Sequence, residues 1–396
     1  MVFAVFPMIQ FDDNQEYSYI SAQTRVTMNT VEGTACALFQ NLHSPQYQVG
    51  IDTLFYKTDT YVNFQGIKLI PPGCHLIHIT DTINSSRVGR FVNAKSGTVI
   101  LISLEHSKDA IDSIFIKIET VELQNGVQYG ITEEMYVSKM ANYQSGIEEF
   151  GIDPKSIMDG FDYRKYLSND TGNVTSEDAT TLEIRKLDEA IMKRRNTNER
   201  DRKYMDDLTT GLKRLNENTL KMSVIDISDK KTLVKAESKN KMEDYLDRTW
   251  IIEKEFNQGV TCDFMQRYLA EFKFSFILAA ILNNQGAYQQ WKTLLDLFLR
   301  SGRLLKQQKS ESYEFLKNVN MQLKILRRLR KKDDYQEDAD DTFNVDLSEL
   351  QESFMECLLT VDELEDAKFQ FLFGSIVQIL NSSFGMEICD RLDMSE

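Results

Sequence analysis

Two hydrophobic periods divide this chain of 396 residues. In its first third, Ile114, Ile116 and Ile118 alternate with Phe115, Lys117 and Glu119, a period of two that sets the isoleucines on one face of a strand. Past residue 244 the spacing changes. Leu269, Phe272, Phe276 and Ala280 recur at i, i+3, i+7 and i+11, which is one face of a helix. The period changes once along the chain, so the expected fold class is α+β in two domains, a β-sandwich-like N-terminal domain followed by an all-α C-terminal domain.

Within the first domain the β-type runs are Ala35 to Phe39, Tyr47 to Ile51, His75 to Thr80, Arg90 to Val92, Thr98 to Leu104 and Ser113 to Val121. Breaks such as Pro71-Pro72-Gly73 and Ser96-Gly97 separate them. In the second domain Tyr288, Trp291, Leu295 and Phe298 repeat the aromatic stripe after a turn at Asn283-Asn284-Gln285-Gly286, which predicts two antiparallel helices. Further stripes follow at Leu316, Val319, Leu323 and Leu326, at Leu347, Leu350, Phe354 and Leu358 behind an N-cap at Asp346, and from Glu363 to Leu380. Between the domains, Asp153-Pro154 and Asn169 to Ser176 supply breakers. Leu182 to Met222 then has helix-forming composition, with a stripe at Met205, Leu208, Leu212 and Leu215, and Asp226 to Lys241 is lysine-rich without aromatics. The predicted divisions are an extension over 1–27, the sandwich-like domain over 28–160, a linker with a charged helix over 161–243, the helical domain over 244–380 and a tail over 381–396.

A formal charge of −15 and a pI near 4.9 argue against direct nucleic-acid binding, because a phosphate backbone is repelled by such a surface. The five cysteines lie far apart without a C-x-x-C pair, the usage of a reduced compartment. The N-terminal MVFAVFPMIQF has no basic residue before its apolar run, and no run reaches the ~20 apolar residues of a membrane span.

No phosphate-binding loop, dinucleotide fingerprint, zinc-protease helix or nucleophile elbow occurs in the sequence, and the expectation is a chain that catalyses nothing and holds no cofactor or metal. His75 and His78, beside Cys74, form the one His/Cys cluster. Residues three apart on a strand point to opposite faces, so the two imidazoles are not expected to share an ion. Arg327 to Lys332 reads either as an import or phosphate-contact patch or, the favoured reading, as a helix C-terminus that attracts positive charge. Trp291 and its aromatic neighbours read as core before they read as a ligand pocket. Met386, Ile388 and Leu392 suit an exposed strand able to add to a partner's sheet, and Ile388 with Leu392 equally suit a helix end.

Four signature strings, in two regions, carry a family resemblance. Gly50-Ile51-Asp52 is followed by Phe64 to Pro72-Gly73-Cys74-His75-Leu76-Ile77-His78, with Gly66 and Pro71 inside it, and later come Glu271 to Phe276 and Gln290-Trp291 to Leu297. In order and spacing these resemble the A1-cistron splicing factors, the assembly factors of the U5 small nuclear ribonucleoprotein, from roughly Met28 to Leu380. The resemblance implies a sandwich-like N-terminal domain and a VHS-like helical C-terminal domain. It implies an assembly chaperone, a phosphoprotein of cytoplasm and nucleus and a monomer on its own, that binds the large U5 scaffold protein. The contacts would fall on the scaffold's RNase H-like and Jab1/MPN-like domains, and the U5 GTPase would be reached only indirectly. Premature helicase and RNA would be kept away, and the tail over Met386 to Leu392 would bridge the two scaffold domains by strand addition. Competing expectations are a cryptic hydrolase or transferase, revealed by a deep pocket with convergent perturbed groups, and an RNA-binding module with salt-dependent affinity.

Overall fold

The computed structural model describes residues 33–40, 47–56, 64–81, 87–106, 114–122, 139–150, 153–195, 219–225, 246–257, 264–333 and 345–388. Among the described residues ten strands lie in the first half: β1 Ala35–Gln40, β2 Tyr47–Ile51, β3 Leu54–Tyr56, β4 Gly66–Ile70, β5 Gly73–Asp81, β6 Arg87–Ala94, β7 Thr98–His106, β8 Ile114–Glu122, β9 Met140–Asn142 and β10 Asn173–Thr175. They form two five-stranded sheets, ordered β8-β7-β1-β4-β9 and β10-β6-β5-β2-β3. Among the described strands only β1 with β7 and β4 with β9 run parallel. Ile67, Ile100, Ile102 and Ile116 from the first sheet share one core with Val49, Ile51, Ile77 and Ile79 from the second, the packing of a sandwich. All six expected runs are strands. The others, β3, β4, β9 and β10, are short or interrupted by Gly, Lys and Asn, which propensity does not favour in strands.

The helices are α1 Tyr143–Phe150, α2 Lys155–Met158, α3 Thr181–Arg195, α4 Thr249–Phe256, α5 Phe264–Leu282, α6 Gln285–Leu299, α7 Gly302–Gln307, α8 Lys309–Asp333, α9 Gln351–Glu363 and α10 Ala367–Phe384. Helix α5 is buried all round from Glu271 to Leu282 and is the central element of the second half. It turns into α6 through Asn283, whose φ of 57° is left-handed, and Asn284, the N-cap of α6. The rings of Phe272 and Phe276 pack on Trp291 across this hairpin, and Phe315 of α8 closes on Phe272 and Phe298. The expected stripe at Leu316, Val319, Leu323 and Leu326 is buried, as is that at Leu347, Leu350, Phe354 and Leu358. Asp346 accepts from the Ser348 amide at the start of this last run. The stripe expected from Glu363 begins only at α10, because the chain breaks at Glu365, with φ of 51°, and restarts behind the N-cap Asp366.

The outer face of the second sheet packs on α5. Leu76 and Phe91 belong to the helical core, Phe91 stacks on Phe274 at 5.7 Å and Arg87 donates to the Ile281 carbonyl. Parts of the segment 161–243, expected as a linker, are built into this junction. Leu167, Val174, Leu220, Met222 and Ile225 are buried in the helical core, and β10 pairs with β6. The helix expected over Leu182 to Met222 covers Thr181–Arg195 among the described residues, started by a capping box in which Thr180 and Glu183 exchange hydrogen bonds. At Leu220 the chain is extended and bridges to Leu167 and Thr180. The stripe from Met205 to Leu215 and the connector at Asp226 to Lys241 lie outside the described residues.

Two polar side chains fasten the junction. Asn284 donates through Nδ2 to the carbonyls of Thr175, Ser176 and Asp178, at 3.2, 3.2 and 2.9 Å, while its Oδ1 accepts from the Ala287 amide. Buried Glu271 accepts from the Ser223 amide and hydroxyl and from Gln290. Asn284→Ala removes the cap of α6 and strips the β10 loop of its donor, so it should lower unfolding free energy by about 2–4 kcal/mol in denaturant titration.

Candidate functional site

The signature residues of the sandwich meet around Asp52. Ile51 and Leu54 pair across a two-residue turn, which puts Asp52 at φ 55°, a conformation Asp tolerates better than most residues. Its Oδ1 accepts from the Leu76 amide at 2.9 Å, and its Oδ2 accepts from His75 Nδ1 and from the Tyr143 hydroxyl, both at 2.7 Å. His75 Nε2 donates to the Pro71 carbonyl at 2.7 Å, so both imidazole nitrogens face acceptors. That arrangement holds a buried imidazolium against a buried carboxylate. Burial opposes the His75 charge, but Asp52 and the Pro71 carbonyl outweigh it and raise the pKa above the ordinary value.

His78 points the other way, as the strand period requires. Its Nε2 donates to the Asp52 carbonyl at 3.1 Å, its ring meets the edge of Phe55, and burial together with the charge of Arg87 pushes its pKa down to about 3. Gly50 makes room for it, since a β-carbon there would sit 2.0 Å from the ring. Gly66 similarly lets β4 approach the Ala37 carbonyl, and Leu69, with φ of 60°, forms the irregularity that leads into Pro71, Pro72 and Gly73. Phe276 and Trp291 are core side chains of the helical hairpin, and Trp291 Nε1 donates to Gln322. Tyr143 escaped sequence reasoning, as did the roles of Asn284, read there as a turn residue, and of Glu271, read as part of a signature string, because their partners lie 91, 106 to 109 and 48 residues away.

The tail differs from the exposed strand considered for it. Gly385 ends α10 in the left-handed region, the chain folds back, and Met386 and Ile388 are buried in the helical core. Asn381 pins Ile388 by accepting from its amide and donating to its carbonyl. Leu392 lies outside the described residues. Of the basic run, Arg330 caps the end of α10, donating to the Ser383 carbonyl and lying over the Phe384 ring. An open groove of about 660 Å³ has Met265, Leu269, Tyr313 and Phe369 among its lining residues, with lysines and carboxylates around them. The perturbed groups Glu271, Tyr268 and Asp178 lie elsewhere. Among the described residues no three His, Cys, Asp or Glu side chains gather as a metal cage, and no helix is long and apolar enough to cross a membrane.

These features define a two-domain α+β protein whose sandwich and helical bundle share a core, with its signature residues spent on internal scaffolding. A profile of the AAR2 N-terminal domain matches residues 33–156, and one of the AAR2 C-terminal repeat region matches residues 225–388. The chain therefore belongs to the AAR2 family, the A1-cistron splicing factors of U5 small nuclear ribonucleoprotein assembly. No curated protein matches it significantly.

Gly50→Ala should lower stability by about 1–3 kcal/mol through overpacking against His78, read as a fall in melting temperature. His78 titrates below its unfolded value, so the stability it contributes is complete above about pH 6.5 and fades as pH falls toward its folded value. The stability gap between the native chain and His78→Gln should accordingly narrow from pH 7.5 to pH 4.5 in denaturant titrations, pH values taken as about one unit above and two below the ordinary His value.

Proposed function

We propose that this chain is a non-catalytic assembly chaperone of the U5 particle, which holds the large scaffold protein through its RNase H-like and Jab1/MPN-like domains. It keeps the helicase and RNA from those surfaces until assembly is complete, meets the U5 GTPase only through the scaffold, and works in cytoplasm and nucleus. Family membership over both domains carries this reading. The physical form agrees with it, since such a role needs a stiff body with broad outer faces, and the shared core provides one. The net charge of −15 adds repulsion toward RNA at any site the chain covers.

Phosphorylation would release the chain by adding negative charge at the grip, and the last residues, including Leu392, would extend it by strand addition. Since Met386 and Ile388 are anchored inside, such an extension starts beyond Ile388. Affinity purification of the tagged chain from its own cells should recover one very large splicing scaffold as the dominant partner, and the purified RNase H-like fragment should retain the chain on a column. Retention by no scaffold fragment would overturn the reading.

A further inference from the structure

Helix α8 carries two side-chain amides inside the core, one turn apart. Asn318 is 2% exposed and Gln322 0%. Each amide is oriented from one side. Asn318 Nδ2 donates to the Glu314 carbonyl at 2.8 Å, and because a carbonyl only accepts, the amide cannot be reversed and Oδ1 faces elsewhere. Trp291 Nε1 donates to Gln322 Oε1 at 2.8 Å, and because an indole only donates, Nε2 of that amide faces elsewhere too. What remains is one acceptor, Asn318 Oδ1, and one donor, Gln322 Nε2, and neither has a hydrogen-bond partner among the described residues. Residues four apart on a helix lie on one side of it, with about 5–6 Å between their β-carbons. Phe272 and Phe276, which pack on Trp291, have no polar atom to supply.

We infer that Asn318 and Gln322 hold one buried water between them, which accepts from Gln322 Nε2 and donates to Asn318 Oδ1. The chemistry selects that ligand. A cation would be repelled by the amide N–H and an anion by the amide oxygen, and an apolar group would satisfy neither. Water donates and accepts at once. Leaving both atoms dry in the core would carry the cost of an unmade hydrogen bond twice over. The water completes an unbroken line of hydrogen bonds from Trp291 through Gln322 and Asn318 to the Glu314 carbonyl, which ties α6 to two turns of α8. The aromatic packing beside this line has little direction of its own, so the line fixes the height of α8 against the α5–α6 hairpin.

The native chain decides the matter first. A crystal structure that shows ordered water should place one molecule within roughly 2.7–3.2 Å of both atoms. A direct bond between the two amides overturns the inference, as does empty density between them. Denaturant titration of Asn318→Leu, Gln322→Met and the double variant then asks whether the two amides act through a shared ligand. Gln322→Met also takes the acceptor from Trp291, but that loss enters both arms of the cycle and cancels. Once either amide is gone the bridge is lost, so removing the second should cost less, with a coupling of about tenfold in the folding equilibrium constant. Losses that add to within about twofold overturn the inference.

Discussion

The seam between α5 and the outer face of the second sheet governs the rest of the molecule. Phe274 stacks on Phe91, Leu282 fills the space left by Gly89, and the Ile281 carbonyl takes a hydrogen bond from Arg87. Because α5 is also the centre of the helical half, one helix is a core element of two units at once. Neither the sheet face nor the helix could meet water without exposing large apolar side chains, so the two halves are held at a fixed angle by hydrophobic burial. The polar fastenings at Asn284 and Glu271 then select one register on that greasy surface.

Periodicity made the long elements legible and left the junction dark. It tells which residues share a face, and the six strand runs and the aromatic hairpin follow from that. It does not tell what covers the face. Met386 and Ile388 alternate as an exposed strand would, yet a left-handed turn at Gly385 lays them back on the bundle. The stretch over 161–225 reads as polar connector because its apolar residues are sparse, yet Leu167, Val174, Leu220, Met222 and Ile225 are buried in the helical core. The strand rule correctly sent His75 and His78 to opposite sides of β5. The carboxylate that holds His75, on a turn 23 residues earlier, leaves no periodic trace.

The strings that carried the family resemblance are largely internal. Gly50, Asp52, His75 and His78 build the tight turn and its buried ion pair, and Phe276 and Trp291 build the hairpin core. Truncating such residues leaves a void or an unpaired charge, and enlarging Gly50 makes a clash. They identify the architecture with high specificity and carry little information about which outer surface meets a partner. Contact side chains obey no period and lie on faces where many residues serve.

The fastening by Asn284 has a temporal side. Its three acceptors, at the end of β10 and in the loop after it, leave the ribosome more than one hundred residues before it does. At ~5–20 residues per second the sandwich waits roughly 5–20 s with that border of its sheet unclasped. A factor that shepherds the building of a larger machine thus passes through its own vulnerable interval at birth, when nascent-chain helpers have the most to guard.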